Sequence, residues 1–156
     1  MPDLPPPAVK FPPPLLYLGM ILLGLFLDYA LQLPEMPLSD RLHYTLGALL
    51  VLLGIAVNIP AVLKFKANDE NVIPWTGSET IIVSGVYRFT RNPMYLGMSL
   101  ISLGIAIWAG SYAMVSTALL ASVIIDRLVI VREEYYLEKR FGQSYADYKR
   151  QVRRWI

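Results

Sequence analysis

MYLGMSLISLGIAIWAGSYAMVSTALLASVIIDRLVIV, residues 94–131, is apolar almost throughout, and Gly110 and Ser111 form its one soft point. Pro93 stands immediately before it. Two apolar runs, 94–109 and 112–131, joined by so short a link predict a helical hairpin. A helix needs about 20 apolar residues to cross the hydrocarbon core of a bilayer. Neither arm is long, so the tip of the hairpin is expected to leave the bilayer barely or not at all. Pro93 suits the first turn of the first arm, where its missing N–H costs nothing.

Upstream lie two more apolar runs. Residues 15–33 can span and contain one acid, Asp28, close enough to the end of the run to reach the interface. Residues 42–65 form the second run, after a turn at 34–41 with two prolines. Gly47 and Gly54 are seven apart, hence on one helix face, where they permit close helix contact. Asn58 and Pro60 interrupt the second half of this run. A kink is expected there, with the freed backbone groups finding partners inside a bundle. Residues 1–14 hold seven prolines and are expected to be an extended, mobile leader outside the bundle. The expected fold is therefore an all-α polytopic membrane bundle of about four spans, forming a single domain over 15–156.

The composition agrees. The chain has 156 residues, 55% hydrophobic and 17% charged, against about 25% charged in soluble domains. A net charge of +2 is too small to suggest a nucleic-acid partner. There is no cysteine, and His43 is the single histidine. Disulfides, thiolate metal sites and cysteine nucleophiles are excluded, and no metal site or histidine triad is expected.

Downstream of the hairpin comes REEYYLEKRFGQSYADYKRQVRRWI, residues 132–156. Leu137, Phe141, Tyr145, Tyr148 and Val152 recur at roughly helical spacing between charged residues, which predicts interfacial amphipathic helices. Gly142 is expected to divide them, and Trp155 suits an interfacial anchor. With four spans, residues 1–14, the loop 66–92 and the tail 132–156 share one side. That side holds thirteen of the fourteen Lys and Arg residues, leaving Arg41 alone on the other. The basic side is expected to be cytoplasmic.

Every residue suspected of chemistry falls on that side. SGVYRFTRNPMYLG, residues 84–97, gathers Tyr87, Arg88, Arg91, Asn92 and Tyr95 about the start of a helix. Helix N-termini attract anionic groups. A ligand with a carboxylate and an aromatic base suits this place; so does a plain capped helix with an arginine among lipid headgroups. Glu133 and Glu134 close the last apolar run, with Asp126 and Arg127 one to two turns earlier. A spacing of seven directs Asp126 with Glu133 and Arg127 with Glu134 along one regular helix. Such carboxylates suit a ribose diol or an ammonium group, or an ion-pair network with Arg88 or Arg91.

The two motifs, in order and with the hairpin between them, resemble the isoprenylcysteine carboxyl methyltransferase family and the related phospholipid N-methyltransferases. The likeness covers about 72–156. It implies S-adenosylmethionine as methyl donor, held by Glu79, Thr80, Ile81, Ile82, Tyr87, Asn92, Pro93, Met94, Tyr95, Glu133 and Glu134. It also implies a lipophilic acceptor entering from the bilayer: a prenylcysteine-like carboxylate, an isoprenoid or an aminophospholipid. The prenylcysteine branch has histidine where this chain has Asn92, and a substrate-gripping arginine where this chain has Val129. Asp126, Arg127 and Arg132 are the candidates to orient the acceptor in its place. Two other classes fit parts of the pattern, an NADPH-dependent membrane reductase of the sterol-reductase type and a non-catalytic membrane scaffold. The expected location is the inner, cytoplasmic membrane, with the N-terminus, the site and the C-terminus on the cytoplasmic side that the charge count indicates.

Overall fold

The computed structural model describes Val9, residues 11–68, Thr76 and residues 80–156. Helix α1 covers Pro13–Leu31, α2 Asp40–Lys66, α3 Pro93–Trp108 and α4 Tyr112–Ile125. A π-helical turn, Asp126–Ile130, joins α4 to α5 (Val131–Phe141), and α6 covers Gln143–Gln151. A 3₁₀ turn at Gly85–Arg88 precedes α3, and no strand occurs among the described residues. The all-helical bundle expected from the sequence is what the chain forms. Three helices are long and apolar enough to cross a membrane: α1, α2 and the continuous run Tyr112–Phe141, while α3 is shorter.

Two expectations change. Pro13 and Pro14 occupy the first turn of α1 instead of belonging to an extended leader. A proline there loses no hydrogen bond, because the first N–H groups of a helix have no intrahelical partner. Val9 is 4% exposed and packs with Tyr17, Ile125, Val129 and Ile130, so this residue of the expected leader is part of the core. The last apolar run also does not end at 131 in a separate interfacial helix. It continues through the π turn and α5 for 30 residues to Phe141, since nothing between Arg132 and Phe141 stops a helix. Gly142, at φ +53°, provides the break before α6.

α2 and α3 meet along a seam of four glycines. A Cβ on Gly47 would lie 2.8 Å from the Gly104 carbonyl oxygen, and one on Gly54 would lie 2.7 Å from that of Gly97. The converse distances are 2.7 Å for Gly104 on Gly47 and 2.8 Å for Gly97 on Gly54. Spacing of seven on both helices places each glycine opposite its partner, and only hydrogen fits between the backbones. α2 runs unbroken through Pro60, and Asn58 donates from Nδ2 to the Met94 carbonyl at 2.9 Å. This bond fixes the first turn of α3 against the second half of α2.

α1 is held on the opposite face. A Cβ on Gly24 would fall 2.6 Å from the Met114 Cα of α4. Tyr17 and Ser99 share a hydrogen bond of 2.7 Å, Ser122 donates to Ser99 at 2.9 Å, and Ser99 donates to the Tyr95 carbonyl at 2.9 Å. Hydroxyls from α1, α3 and α4 thus satisfy one another inside the bundle, each interhelical bond contributing about 1 kcal/mol. At the far end, Ser111 donates to Asp28 and accepts from the Met114 N–H at 2.8 Å, so Asp28 secures the cap of α4. The Met36 N–H reaches the Gly110 carbonyl at 2.8 Å and joins the two turns at that end.

Replacing Gly54 by leucine should separate α2 from α3 and destabilise the protein by about 1–3 kcal/mol, the usual effect of overpacking. Gly19→Leu is the control, because a Cβ there meets nothing within 4 Å. Thermal melting in detergent should show a lower midpoint for the first variant and an unchanged one for the second.

Candidate functional site at the α3–α5 junction

At the end of the bundle away from Gly110, residues 80–92 lead into α3. Ile82 and Tyr87 are buried with Ala61 of α2, against Phe65, Val86 and Met94. The Phe65 and Tyr87 rings lie 5.7 Å apart. Ile81 turns the other way and packs on Tyr145, Tyr148 and Val152 with Leu137 and Phe141, which fixes α5 and α6 against this segment. The Tyr148 hydroxyl donates to the Tyr87 carbonyl at 2.7 Å. Tyr87 is 5% exposed, yet its own hydroxyl has no hydrogen-bond partner among the described residues. Burial first, then Tyr148 and the Glu133 carboxylate, push this phenol well above its usual range, so it stays neutral at any ordinary pH.

Residues 90–92 connect to the segment after α6. The Arg91 N–H donates to the Arg153 carbonyl at 3.0 Å. Thr90 Oγ1 and Asn92 Nδ2 both donate to the Arg154 carbonyl, at 3.1 and 3.0 Å. Asn92 makes no side-chain cap to α3, because its amide is committed to this contact. Pro93 then starts the helix in its first position. Two residues on, the Tyr95 hydroxyl donates to Glu133 Oε1 at 2.8 Å, joining the start of α3 to α5.

The acids are sorted by the π turn. A π turn takes one residue more than an α turn, so it rotates everything after it relative to a regular helix. Asp126 therefore shares a face with Glu134, not with Glu133 as a spacing of seven implies. Arg154 bridges that face: its guanidinium meets Glu134 at 2.6 and 3.2 Å and both Asp126 oxygens at 3.3 Å. The Trp155 indole donates to Asp126 at 3.0 Å. Arg91 meets Glu134 from the other side at 2.8 Å, and both of those side chains are under 10% exposed. Glu134 and then Asp126 hold Arg154 more firmly charged than an isolated guanidinium. Glu133 is left with a phenol as its hydrogen-bond partner and no ion pair among the described residues.

The residues expected from the sequence thus divide. Ile82, Tyr87 and Met94 cluster on Ala61 and Phe65 of α2, Tyr95 reaches Glu133 of α5, and Pro93 is buried in the first turn of α3. Glu134 belongs to the arginine network, with Arg91 and not Arg88, which is exposed. Asn92 and Asp126 are tied to the segment after α6. Arg127 and Arg132 do not join the group: the Arg127 side chain is 77% exposed and Arg132 is exposed. Val129 is fully buried in the core, so no arginine takes that place. Ile81 packs on α6, Thr80 is exposed, and Glu79 lies outside the described residues. Trp155, expected as an interfacial anchor, is half-buried and packs on the core around Val129 and Ile130. Thr90 and Arg154 escaped the sequence reading as site residues, although the basic and aromatic run at 153–155 marks the place. Among the described residues no group of His, Asp and Glu has the makings of a metal site.

Fold and site together define an integral membrane protein with a cluster of polar and charged residues at one end of an apolar bundle. Residues 42–144 match the phospholipid methyltransferase family, and the chain belongs to that family, hence to the methyltransferases as a class. An uncharacterized protein of Haemophilus influenzae is 40% identical over 63 residues, 40% of this chain and 100% of that protein. The protein-S-isoprenylcysteine O-methyltransferase of Xenopus laevis is 29% identical over 109 residues, 69% of this chain. A probable protein-S-isoprenylcysteine O-methyltransferase of Oryza sativa subsp. japonica is 29% identical over 137 residues, 81% of this chain. This chain spans 38% of the length of the Xenopus enzyme and 66% of the rice one.

The two glutamates should behave differently on substitution. Glu134→Ala leaves Arg91 and Arg154 facing each other in a largely buried place and should cost about 3–5 kcal/mol, as when one partner of a buried pair is removed. Glu133→Gln keeps an acceptor for Tyr95 and should cost under about 1 kcal/mol. Denaturation midpoints of the two variants, measured side by side in one detergent, check the ordering.

Proposed function

We propose that residues 15–156 act as one methyltransferase domain that moves a methyl group from S-adenosylmethionine to a lipophilic acceptor reaching the site from the bilayer. The observation that carries this reading is the hydrogen bond from Tyr95 to Glu133. It joins the two stretches that the resemblance assigns to the donor, in a chain that belongs to a methyltransferase family. The residues fit such a ligand in two respects. Glu133 has a carboxylate not spent on a cation, suited to an ammonium group or a ribose diol. Tyr87 has a buried hydroxyl still without a partner. Ile82 and Met94 offer apolar walls beside them.

The donor, when bound, supplies a sulfonium methyl that is already a strong electrophile. The protein's part is then placement and the exclusion of water. Holding the reacting atoms in line can contribute about 7–11 kcal/mol toward the barrier. Tyr95 orients Glu133, and the apolar cluster about Tyr87 keeps the pocket dry, which strengthens every electrostatic contact inside it. A carboxylate or thiolate acceptor needs no base. An amine acceptor has to lose a proton, and Glu133 is the suited carboxylate, because Arg154 and Trp155 hold Asp126. The acceptor class is a prenylcysteine-like carboxylate, an isoprenoid or an aminophospholipid. Thirteen basic residues on the pocket side favour the cytoplasmic face of an inner membrane.

Calorimetry with S-adenosylhomocysteine should give a saturable complex. Tyr95→Phe and Glu133→Gln should each weaken it at least tenfold without lowering the melting midpoint by more than a few degrees. A labelled methyl group supplied with host lipid extract should appear in one lipid class. No heat of binding at millimolar ligand would sink the proposal.

A further inference from the structure

Residues 152–155 do something that neither the family match nor the proposed reaction assigns. Val152 leaves α6 in extended backbone, at φ −125° and ψ 133°. Its side chain is buried beside Tyr145 and Tyr148. From there the chain makes contacts in two directions at once. Backbone carbonyls of Arg153 and Arg154 accept from the Arg91 N–H, Thr90 Oγ1 and Asn92 Nδ2, all within 3.1 Å. Side chains of Arg154 and Trp155 reach Glu134 and Asp126 on either side of the π turn. The same few residues thus grip the start of α3 on one side and the α4–α5 junction on the other. Tyr95 and Glu133, the pair that spans the pocket, sit one on each of those gripped elements.

We infer that segment 152–155 is a strap that sets the separation of α3 and α5 at the pocket, with Arg154 as its positioning residue. Arg154 does not touch the ligand; its guanidinium acts through Glu134 and Asp126, while its backbone carbonyl holds Thr90 and Asn92. Arg91 pairs with Glu134 alone, whereas Arg154 is shared between Glu134 and Asp126 and so binds the π turn to the strap. The inference rests on the methyl-donor reading for the ligand that the pocket takes.

The experiment uses the full chain in detergent micelles, with S-adenosylhomocysteine as the probe. Arg154→Ala should weaken binding at least fivefold, and Arg154→Lys, which keeps one cationic contact, should fall between it and the unaltered protein. Hydrogen exchange should show faster amide exchange over residues 90–95 in Arg154→Ala, with exchange in the α2–α3 seam unchanged. If Arg154→Ala does not fold, Trp155→Phe serves in its place, since it removes the indole bond to Asp126 and keeps an aromatic ring against Val129 and Ile130. Its binding should weaken about two- to threefold. Unchanged affinity in the variant that folds would overturn the inference, whatever happens to exchange. Faster exchange along the whole chain would overturn it too, because Arg154 would then be general packing. If the unaltered protein fails to bind the probe, the methyl-donor reading has failed and the strap has no ligand to serve. Exchange over 90–95 then still reports whether residues 152–155 hold α3, so the two failures are told apart.

Discussion

The contact on which everything else depends is backbone against backbone, between α2 and α3 at Gly47, Gly54, Gly97 and Gly104. In a membrane the hydrophobic effect does not drive helices together, because lipid tails are as apolar as leucine. Association has to come from dispersion at close range and from buried hydrogen bonds. The glycines supply the first by removing every side-chain atom from the contact. Asn58 supplies the second where the seam ends, by binding the Met94 carbonyl. Helix α3 is too short to be placed by its own hydrophobic length. It is placed by α2, and its first turn is therefore held at a fixed depth beside Ala61, Phe65 and Tyr87.

From that fixed start the polar end of the bundle follows by allocation of charge. Three acids enter a region with little access to water: Asp126, Glu133 and Glu134. Two arginines are available there, Arg91 and Arg154, and both go to Glu134, with Asp126 sharing the second. Had the helix been regular, Asp126 would have stood on the face of Glu133, and the arginines would have drawn that acid into the network. The π turn at Asp126–Ile130 prevents this. One extra residue per turn moves Glu134 onto the Asp126 face and turns Glu133 toward α3. There a neutral phenol meets it. The irregular turn separates an acid that stabilises the fold from an acid that remains chemically available.

Much of the fold was legible because it rests on composition and period. The apolar runs, the hairpin at Gly110–Ser111, the break at Gly142 and the glycine face of α2 are all local signals, and the structure keeps each of them. The partner of Gly47 and Gly54 was not legible: Gly97 and Gly104 carry the same spacing, but pairing is a property of two helices. The candidate pocket was legible as two motifs, and Tyr95 does reach Glu133. The roles within it were less so. Asn92, Asp126, Glu134 and Trp155 owe their positions to Arg154 and to the chain about it. Those contacts span twenty to sixty residues of sequence and leave no periodic trace. The π turn was equally silent, since helical spacing assumes that the helix is regular. The proline run misled for a related reason. A proline is costly in a helix interior, although α2 carries Pro60 there, and costs nothing in a first turn; only the buried Val9 and Tyr17 reveal where that turn begins.

The division of acids also bears on which chemistry the pocket can host under the proposed reading. A methyl transfer from a sulfonium removes positive charge from the reacting centre, so a second permanent cation beside it would be unfavourable in a dry site. Arg91 and Arg154 are both paired with Glu134, and the exposed Arg127 meets only Asp126, at 3.6 Å. No guanidinium faces Glu133 among the described residues. An acceptor that needs an arginine to hold its carboxylate would find none at the buried Val129 position. Around Glu133 the described residues leave a neutral phenol and a single carboxylate. That surrounding comes from the sorting of charge by the π turn, not from any residue placed to recognise a headgroup.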